Sequence, residues 1–104
     1  MSTSRLQQIQ LMLKSEPNDS FLNYALALEY GKLNNLTEAI DIIENLLLND
    51  ENYLGAYYQL GKYYELIQNY EKAKSTFTKG MSIAKKQNNN KATGELFQAL
   101  TMLE

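Results

Sequence analysis

The sequence predicts an all-α protein made of antiparallel helical hairpins, and three observations support this class. Apolar residues recur with a period near 3.6 in six segments of about 11 to 16 residues each. Short stretches rich in asparagine and aspartate, which favour turns and helix caps, separate these segments. No segment alternates with the period of two that a half-buried strand requires. Because the connections are short, we expect successive helices to pack as antiparallel neighbours.

Each of the six predicted helices carries an apolar stripe that can face a common core. The stripes, in chain order, consist of Ile9, Met12 and Leu13; Leu22, Leu26, Tyr30 and Leu33; Ile40, Ile43, Leu46 and Leu47; Tyr57, Leu60, Tyr64 and Ile67; Ala73, Phe77 and Met81; and Leu96, Leu100 and Leu103. Polar residues just before the stripes can accept hydrogen bonds from the free amides of a helix start. The predicted caps are Ser4 with Gln7, Asp19 or Ser20, Asn35 with Glu38, and Asn69.

The composition excludes several classes of function. The 104 residues suit one domain, and a net charge of −2 argues against a general binder of polyanions such as nucleic acid. The chain has no cysteine and no histidine, so disulfides, thiolate ligands and imidazole chemistry are absent. Residues Met1 to Lys14 show no signal-peptide core, and no apolar run is long enough to cross a bilayer. We therefore expect a cytoplasmic protein without membrane association, metal or cofactor.

The chain repeats itself when it is shifted by about 34 residues. The shift pairs Tyr24 with Tyr58, Leu26 with Leu60, Tyr30 with Tyr64, Asn35 with Asn69, and Ala39 with Ala73. The second copy reads Tyr57-x-x-Leu60-Gly61-x-x-Tyr64 and then Ala73-x-x-x-Phe77. The first copy reads Asn23-x-x-Leu26-Ala27-x-x-Tyr30 and then Ala39-x-x-x-Ile43. This pattern resembles the tetratricopeptide repeat, a helix–turn–helix unit with aromatic, Leu-Gly, aromatic, Ala and Phe positions.

The sequence departs from the family pattern at a few positions. Asn23 replaces the leading aromatic residue of the first copy, and Glu51 and Lys85 stand where the repeat has its closing proline. That proline is present in a leftover half repeat, where Pro17 follows Ile9 by eight residues. The resemblance implies a single domain over 1–104, a right-handed superhelical array of antiparallel helix hairpins. Its parts are a half repeat (4–19), two full repeats (20–53 and 54–87) and a C-terminal capping helix (91–103).

Small residues are predicted where the two helices of each hairpin cross, because only small side chains allow close approach. Gly61 is expected opposite Ala73, and Ala27 opposite Ala39. A glycine inside a helix costs roughly 1 kcal/mol relative to alanine, so Gly61 has a packing reason. Tyr57, Tyr64 and Tyr30 lie on the apolar stripes and are expected in the core, each hydroxyl reaching a partner at the edge.

A second face of the repeat helices is the predicted binding site. Tyr58 lies about 100° around the helix from Tyr57. In tetratricopeptide proteins the corresponding face of the first helix of each hairpin lines a concave groove that holds a partner's peptide. The resemblance thus implies a groove lined by Phe21, Tyr24, Leu28, Lys32, Tyr58, Lys62, Glu65 and Leu66, with Gly55 beside them and Ala92, Leu96 and Ala99 on the last helix. Aromatic side chains suit such an interface, and Lys32 and Lys62 can pair with carboxylates of a partner.

Two alternatives for this groove stay open at the level of sequence. Either the groove is free to receive a partner, or the protein covers it itself, with Tyr24 and Phe21 packing on the terminal half repeat and Leu96 of the last helix packing into the groove. Chaperone-binding members of the family grip a C-terminal carboxylate with lysines and asparagines on this face. Tyr24 and Leu28 occupy those places here, so we expect an extended or helical segment with apolar side chains instead of that tail.

The predicted function is a non-catalytic scaffold or adaptor that binds a peptide segment of a partner protein. The alternative is homo-oligomerisation, including a homodimer, through an exposed edge of the half repeat formed by Leu6, Ile9 and Leu13. An enzyme would have to work through Asp, Glu, Lys or Tyr, and nothing groups these into a site. The remaining charges suit solvated faces: the acidic set is Glu38, Asp41 and Glu44, and the basic set is Lys72, Lys74, Lys79, Lys85, Lys86 and Lys91.

Overall fold

The computed structural model describes residues 4–104, so the first three residues of the predicted domain lie outside it. Six helices and no strand occupy this range. They are α1 (Arg5–Ser15), α2 (Ser20–Lys32), α3 (Leu36–Asn49), α4 (Leu54–Leu66), α5 (Tyr70–Lys86) and α6 (Asn90–Thr101). The prediction of an all-α array of helical hairpins is confirmed. Within the same range, no helix combines the length and the apolar character needed to cross a membrane.

The helices form two compact units, Met1–Glu51 and Asn52–Glu104. In the first unit, α2 packs against both α1 and α3. In the second unit, α5 packs against both α4 and α6. A side-chain hydrogen bond joins the two ends of each full hairpin: Ser20 Oγ donates to Asp50 Oδ2 at 2.6 Å, and Gln87 Nε2 donates to the Asn52 carbonyl at 2.8 Å. These bonds hold each hairpin closed at the end away from its turn.

Three connections use the same left-handed turn, and in each the asparagine after the turn residue bonds back to the helix that has ended and is the N-cap of the next one. The turn residues with positive φ are Asn34 (61°), Gln68 (64°) and Asn88 (56°). The N–H of the following asparagine donates back to a carbonyl five residues earlier, at 2.9 Å in each case. These bonds run from Asn35 to Tyr30, from Asn69 to Tyr64 and from Asn89 to Ala84.

The cap predictions are confirmed except at Asn35. Ser4 and Gln7 form a full capping box, Asp19 accepts from the Leu22 N–H at 2.8 Å, and Asn69 accepts from the Lys72 N–H at 3.3 Å. Asn35 is the N-cap of α3, but its side chain makes no cap hydrogen bond. The reciprocal bond to Glu38 cannot form because the Asn35 N–H already donates to Tyr30.

The core of each unit contains alanines where helices meet and larger side chains between them. In the first unit Ala27, Ala39 and Ile43 are fully buried. In the second unit Ala56, Ala73, Phe77 and Ala84 are fully buried. Tyr57 and Tyr64 are buried as predicted, whereas Tyr30 is half-buried. Tyr63 is buried as well, which the stripe did not predict, because α4 is covered over a wider arc than one stripe.

The atoms of α5 that lie nearest to Gly61 belong to Phe77, which was not the neighbour predicted for it. A Cβ atom at Gly61 would lie 2.6 Å from two atoms of the Phe77 ring and closer still to a third. Gly61 therefore makes room for Phe77, one helical turn beyond the predicted neighbour Ala73. A second close approach involves Gly80, where a Cβ atom would lie 2.7 Å from Tyr57 Cβ and 3.2 Å from Leu96 Cδ1. Gly80 thus allows both α4 and α6 to pack closely on α5.

The apolar edge of α1 that was predicted to be exposed is covered by α2. Ile9 is only 2% exposed, and Leu6 and Leu13 are half-buried. The ion pair between Arg5 and Glu29 and the hydrogen bond from Gln10 to the Tyr30 hydroxyl also tie α1 to α2. The prediction of an exposed edge formed by Leu6, Ile9 and Leu13 is therefore wrong. The exposed apolar side chains of α1 are Leu11 and Met12.

We expect Gly61→Ala to lower the free energy of unfolding. The added methyl group must displace the buried Phe77 ring, and overpacking of this kind costs roughly 1–3 kcal/mol. Better helix propensity returns at most about 1 kcal/mol. The matched control is Gly94→Ala in α6, where nothing lies within 4 Å of the new atom, so stability should rise by up to about 1 kcal/mol. Urea unfolding of both variants checks this; equal or greater stability of Gly61→Ala would contradict the close contact.

We expect Gln68→Gly to raise the free energy of unfolding by about 1 kcal/mol, since a left-handed backbone costs a residue with a side chain roughly that amount. Met102→Gly is the control, because Met102 follows α6 with φ −69°, is 76% exposed and gains nothing from glycine. Thermal unfolding measured by circular dichroism compares the two. A Tm that falls equally in both variants would contradict the expected cost of the left-handed backbone at Gln68.

Candidate functional site

The outer face of α4 brings together four residues of the predicted site. Tyr58, Lys62 and Leu66 follow one another at four-residue spacing, and Glu65 lies beside them. Tyr58 is 40% exposed and Leu66 is 65% exposed. The opposite side of α4 carries the buried tyrosines, so the packing of that side against α5 determines which residues turn outward.

Contacts within this face fix the position of its aromatic ring. The ring centroids of Tyr58 and the buried Phe77 are 6.1 Å apart, with the rings tilted by 47°. The Lys62 ammonium lies 6.0 Å from the Tyr58 ring centroid, and it forms a 3.3 Å ion pair with Glu65. A ring supported from both sides loses little conformational freedom when it meets another molecule. We call Tyr58, Lys62, Glu65 and Leu66 the α4 face.

The corresponding outer face of α2 carries Phe21, Tyr24, Leu28 and Lys32, which we call the α2 face. Phe21 is 62% exposed and Lys32 is also exposed, whereas Tyr24 and Leu28 are half-buried. Lys32 pairs with Glu29 at 3.0 Å, and Glu29 also binds Arg5 at 3.5 Å. The α2 face is therefore a partly covered apolar strip with a charged residue at its C-terminal end.

Both lysines of the predicted site have an acidic neighbour on their own helix. Sequence reasoning missed Glu29 as the partner of Lys32, although the three-residue spacing is a signal for such a pair. The Lys62–Glu65 pair is partly exposed on both sides, and such pairs contribute about 0–1 kcal/mol, so a carboxylate from another molecule can replace Glu65 at little cost. Lys32 is held more firmly, because the Glu29 side chain is only 14% exposed and also binds Arg5.

Phe21 also borders a shallow depression at the junction of α1 and α2. Its volume is about 400 Å³, and it is lined by Met12, Ser15, Glu16, Asp19, Phe21 and Leu22. The depression combines apolar side chains with two carboxylates. Phe21 thus lies beside α1, as in the alternative in which it covers the half repeat.

The last helix does not present Leu96 and Ala99 to solvent. Leu96 is 2% exposed and Ala99 is 7% exposed. Leu96 lies against α5 at Gly80, which places it in the core of the second unit. Leu96 differs from its predicted place because α6 starts later than the 34-residue repeat predicts. The helix before it, α5, has 17 residues where α3 has 14.

The rest of the described chain offers little for chemistry. Glu38, Asp41 and Glu44 are exposed on α3, and in residues 4–104 no three acidic side chains form a group that could hold a metal ion. That range also contains no buried side-chain nitrogen or oxygen without a hydrogen-bond partner. The features that remain are the two aromatic faces with their charged residues.

Comparison with known proteins identifies the fold and the family. The family described as Tetratricopeptide repeat matches residues 22–53 and 54–87. A tetratricopeptide repeat domain protein from Salinibacter ruber, solved by NMR, is 36% identical; the match covers 85% of this chain and 89% of that one, with a TM-score of 0.81. The search of curated proteins gave no match.

Two more distant structures share the fold. A protein from Bordetella parapertussis is 20% identical, with 98% of this chain and 89% of that chain covered and a TM-score of 0.86. The TPR2B domain of yeast Sti1, solved in a complex with pHsp70, is 21% identical, with 94% and 78% covered and a TM-score of 0.87. Tetratricopeptide repeats generally mediate protein–protein interactions. The family match and the 36% identity to the Salinibacter protein show that this chain belongs to the tetratricopeptide repeat family.

Proposed function

We propose that this protein is a non-catalytic, cytoplasmic scaffold or adaptor that binds a peptide segment of another protein through the α2 face and the α4 face. Residues 20–53 and 54–87 act as its two repeats. The α2 face contributes Phe21, Tyr24, Leu28 and Lys32, and the α4 face contributes Tyr58, Lys62, Glu65 and Leu66.

The observation that carries the proposal is the supported, exposed ring of Tyr58. Tyr58 is 40% exposed, and its contacts with Phe77 and Lys62 hold the ring in place while part of it still faces solvent. Rigid aromatic surfaces next to a charge are the residues that most often dominate protein interfaces. The Sti1 domain, which shares the fold, was solved in a complex with pHsp70, and this supports peptide binding by analogy.

The side chains suggest what kind of segment would bind. An apolar side chain of the partner can cover Tyr58 and Leu66, and a carboxylate of the partner can replace Glu65 in the ion pair with Lys62. On the α2 face, Tyr24 and Leu28 offer no charge to a terminal carboxylate. The preferred ligand is therefore an internal segment, extended or helical, with an apolar residue next to an acidic one.

We expect Tyr58→Ala and Lys62→Glu each to abolish capture of the partner. Tyr58→Ala removes the aromatic surface and should cost about 0.5–1.5 kcal/mol of stability through the lost Phe77 contact. Lys62→Glu reverses the charge and should cost at most about 1 kcal/mol. Affinity capture with mass spectrometry identifies the partner, and titration with the isolated peptide segment measures the loss of affinity.

The matched control is Tyr70→Ala, which removes a tyrosine that is 48% exposed on α5 and lies outside both faces. It should retain every partner that the unchanged chain retains. If the Tyr58 and Lys62 variants bind the same partners with the same affinity as this control, the α4 face is not the binding site.

A further inference from the structure

In α1 and α6, the face that packs against the partner helix of a full hairpin is exposed. In each full hairpin a first helix (α2 or α4) packs against a second helix (α3 or α5). The helix α1 has the position of a second helix: its C-cap Glu16 has φ −134° and ψ 72°, close to the −143° and 77° of Asp50 after α3. The helix α6 follows α5 through the same left-handed turn that joins the helices of each hairpin, but its buried residues Leu96 and Ala99 match the buried Leu60 and Tyr63 of α4, so α6 is equivalent to a first helix.

The open face of α1 is identified by comparison with α3 and α5. Ala39 and Leu46 of α3 are buried, and so are the equivalent Ala73 and Gly80 of α5. In α1 the equivalent residues are Arg5 and Met12, and both are exposed, Met12 by 49%. The depression that contains Met12, Ser15 and Glu16 lies along this face. In the described part of the chain, no first helix occupies it.

The open face of α6 is identified by comparison with α4. Aligning the first residues of the two helices, Leu54 and Asn90, places Phe97 at the position of Gly61. Gly61 is buried against the Phe77 ring, whereas Phe97 is 55% exposed and Leu100 beside it is half-buried. The face that a second helix covers in the α4–α5 hairpin is therefore uncovered on α6 within residues 4–104.

The outermost charges of α1 and α6 are complementary in the antiparallel orientation, and Lys14 in the last turn of α1 is the one charge near these ends that opposes it. With 11 and 12 residues, the two helices are about 17 and 18 Å long. Arg5 starts α1 and Glu16 follows its last residue, while Lys91 lies at the start of α6 and Glu104 follows its end. An antiparallel pair brings Arg5 near Glu104 and Glu16 near Lys91. A parallel pair would bring like charges together at both ends, which is unfavourable.

We propose that α6 of one chain packs antiparallel against α1 of a second copy of the same chain and so completes a hairpin across two molecules. Met12 and Phe97 are the apolar contacts of this interface, and the terminal charges set its direction. The interface is heterologous, because the two copies contribute different surfaces. This association goes beyond the proposed peptide binding and uses neither Tyr58 nor Lys62. Either proposal can therefore fail while the other holds.

Sedimentation velocity over a range of concentrations tests the proposal. The unchanged chain should form species of two or more copies that dissociate on dilution. Met12→Glu spoils only the α1 face, and Phe97→Glu spoils only the α6 face, so each variant alone should stay monomeric. An equimolar mixture retains one intact pair of faces and should give a dimer of one chain of each kind and nothing larger.

The control is Leu48→Glu, which places the same charge at a side chain that is 83% exposed on α3 and should leave the association unchanged. Circular dichroism confirms that all variants fold. The proposal is overturned if the unchanged chain stays monomeric at its highest soluble concentration, if either variant associates alone, or if the mixture fails to dimerise while the unchanged chain does.

A pair of charge reversals tests the orientation separately. Glu16→Lys alone and Lys91→Glu alone should each weaken the association several-fold, and the chain with both changes should recover it. Association that weakens further in the double variant would exclude the antiparallel arrangement.

Discussion

The Phe77 ring lies where a side chain at position 61 would have to be, and the rest of the second unit depends on that contact. Because Gly61 has no Cβ, α4 and α5 approach closely enough to bury Tyr57, Leu60 and Tyr64 on one side of α4. With that side committed to the core, the other side of the helix must face outward. Tyr58 is consequently exposed, yet its ring still reaches the buried Phe77. One missing side chain thus determines both the packing and the surface that we propose for binding.

The turns between helices contribute a second constraint. In three connections, a single asparagine donates its N–H to the helix that has just ended and begins the next helix. Only two residues separate the end of one helix from the asparagine that starts the next. In α2–α3 and α4–α5 the turn residues lie 34 positions apart, at Asn34 and Gln68, so the repeat is visible in the backbone as well as in the side chains. These short turns favour the antiparallel packing of each hairpin, because they give the chain no length to do otherwise.

The sequence predicts the helices well because their signals are local. The 3.6-residue period identified six helices, and the tyrosine stripe predicted that Tyr57 and Tyr64 are buried and that Tyr58 turns away from them. Contacts between helices are harder to predict, because they depend on how far one helix slides along its neighbour. A slide of one turn is enough to place Phe77 rather than Ala73 at Gly61. The same limitation explains why Gly80 was overlooked as a contact point.

The sequence predicted which residues form the candidate site, but it did not predict their ion pairs or their burial. The spacing of Tyr58, Lys62 and Leu66 indicates one face of a helix, and the structure describes that face. The ion pairs of Lys32 and Lys62 with their own helices depend on rotamers, which spacing permits but does not determine. The burial of Leu96 depends on the extra length of α5, and no periodic pattern reports that length.

The greater length of α5 also bears on how such an array can grow. Copies of the 34-residue unit that enter at the connection after Asp50 would keep every helix in register, since α1 and α3 end with the same backbone conformation. After Gln87 the chain instead turns through Asn88 with φ 56°, the conformation found inside the hairpins at Asn34 and Gln68, so a further copy attached there would follow a different kind of connection from the one after Asp50. Elongation by duplication, in evolution or in the laboratory, is therefore accommodated in the interior of the chain.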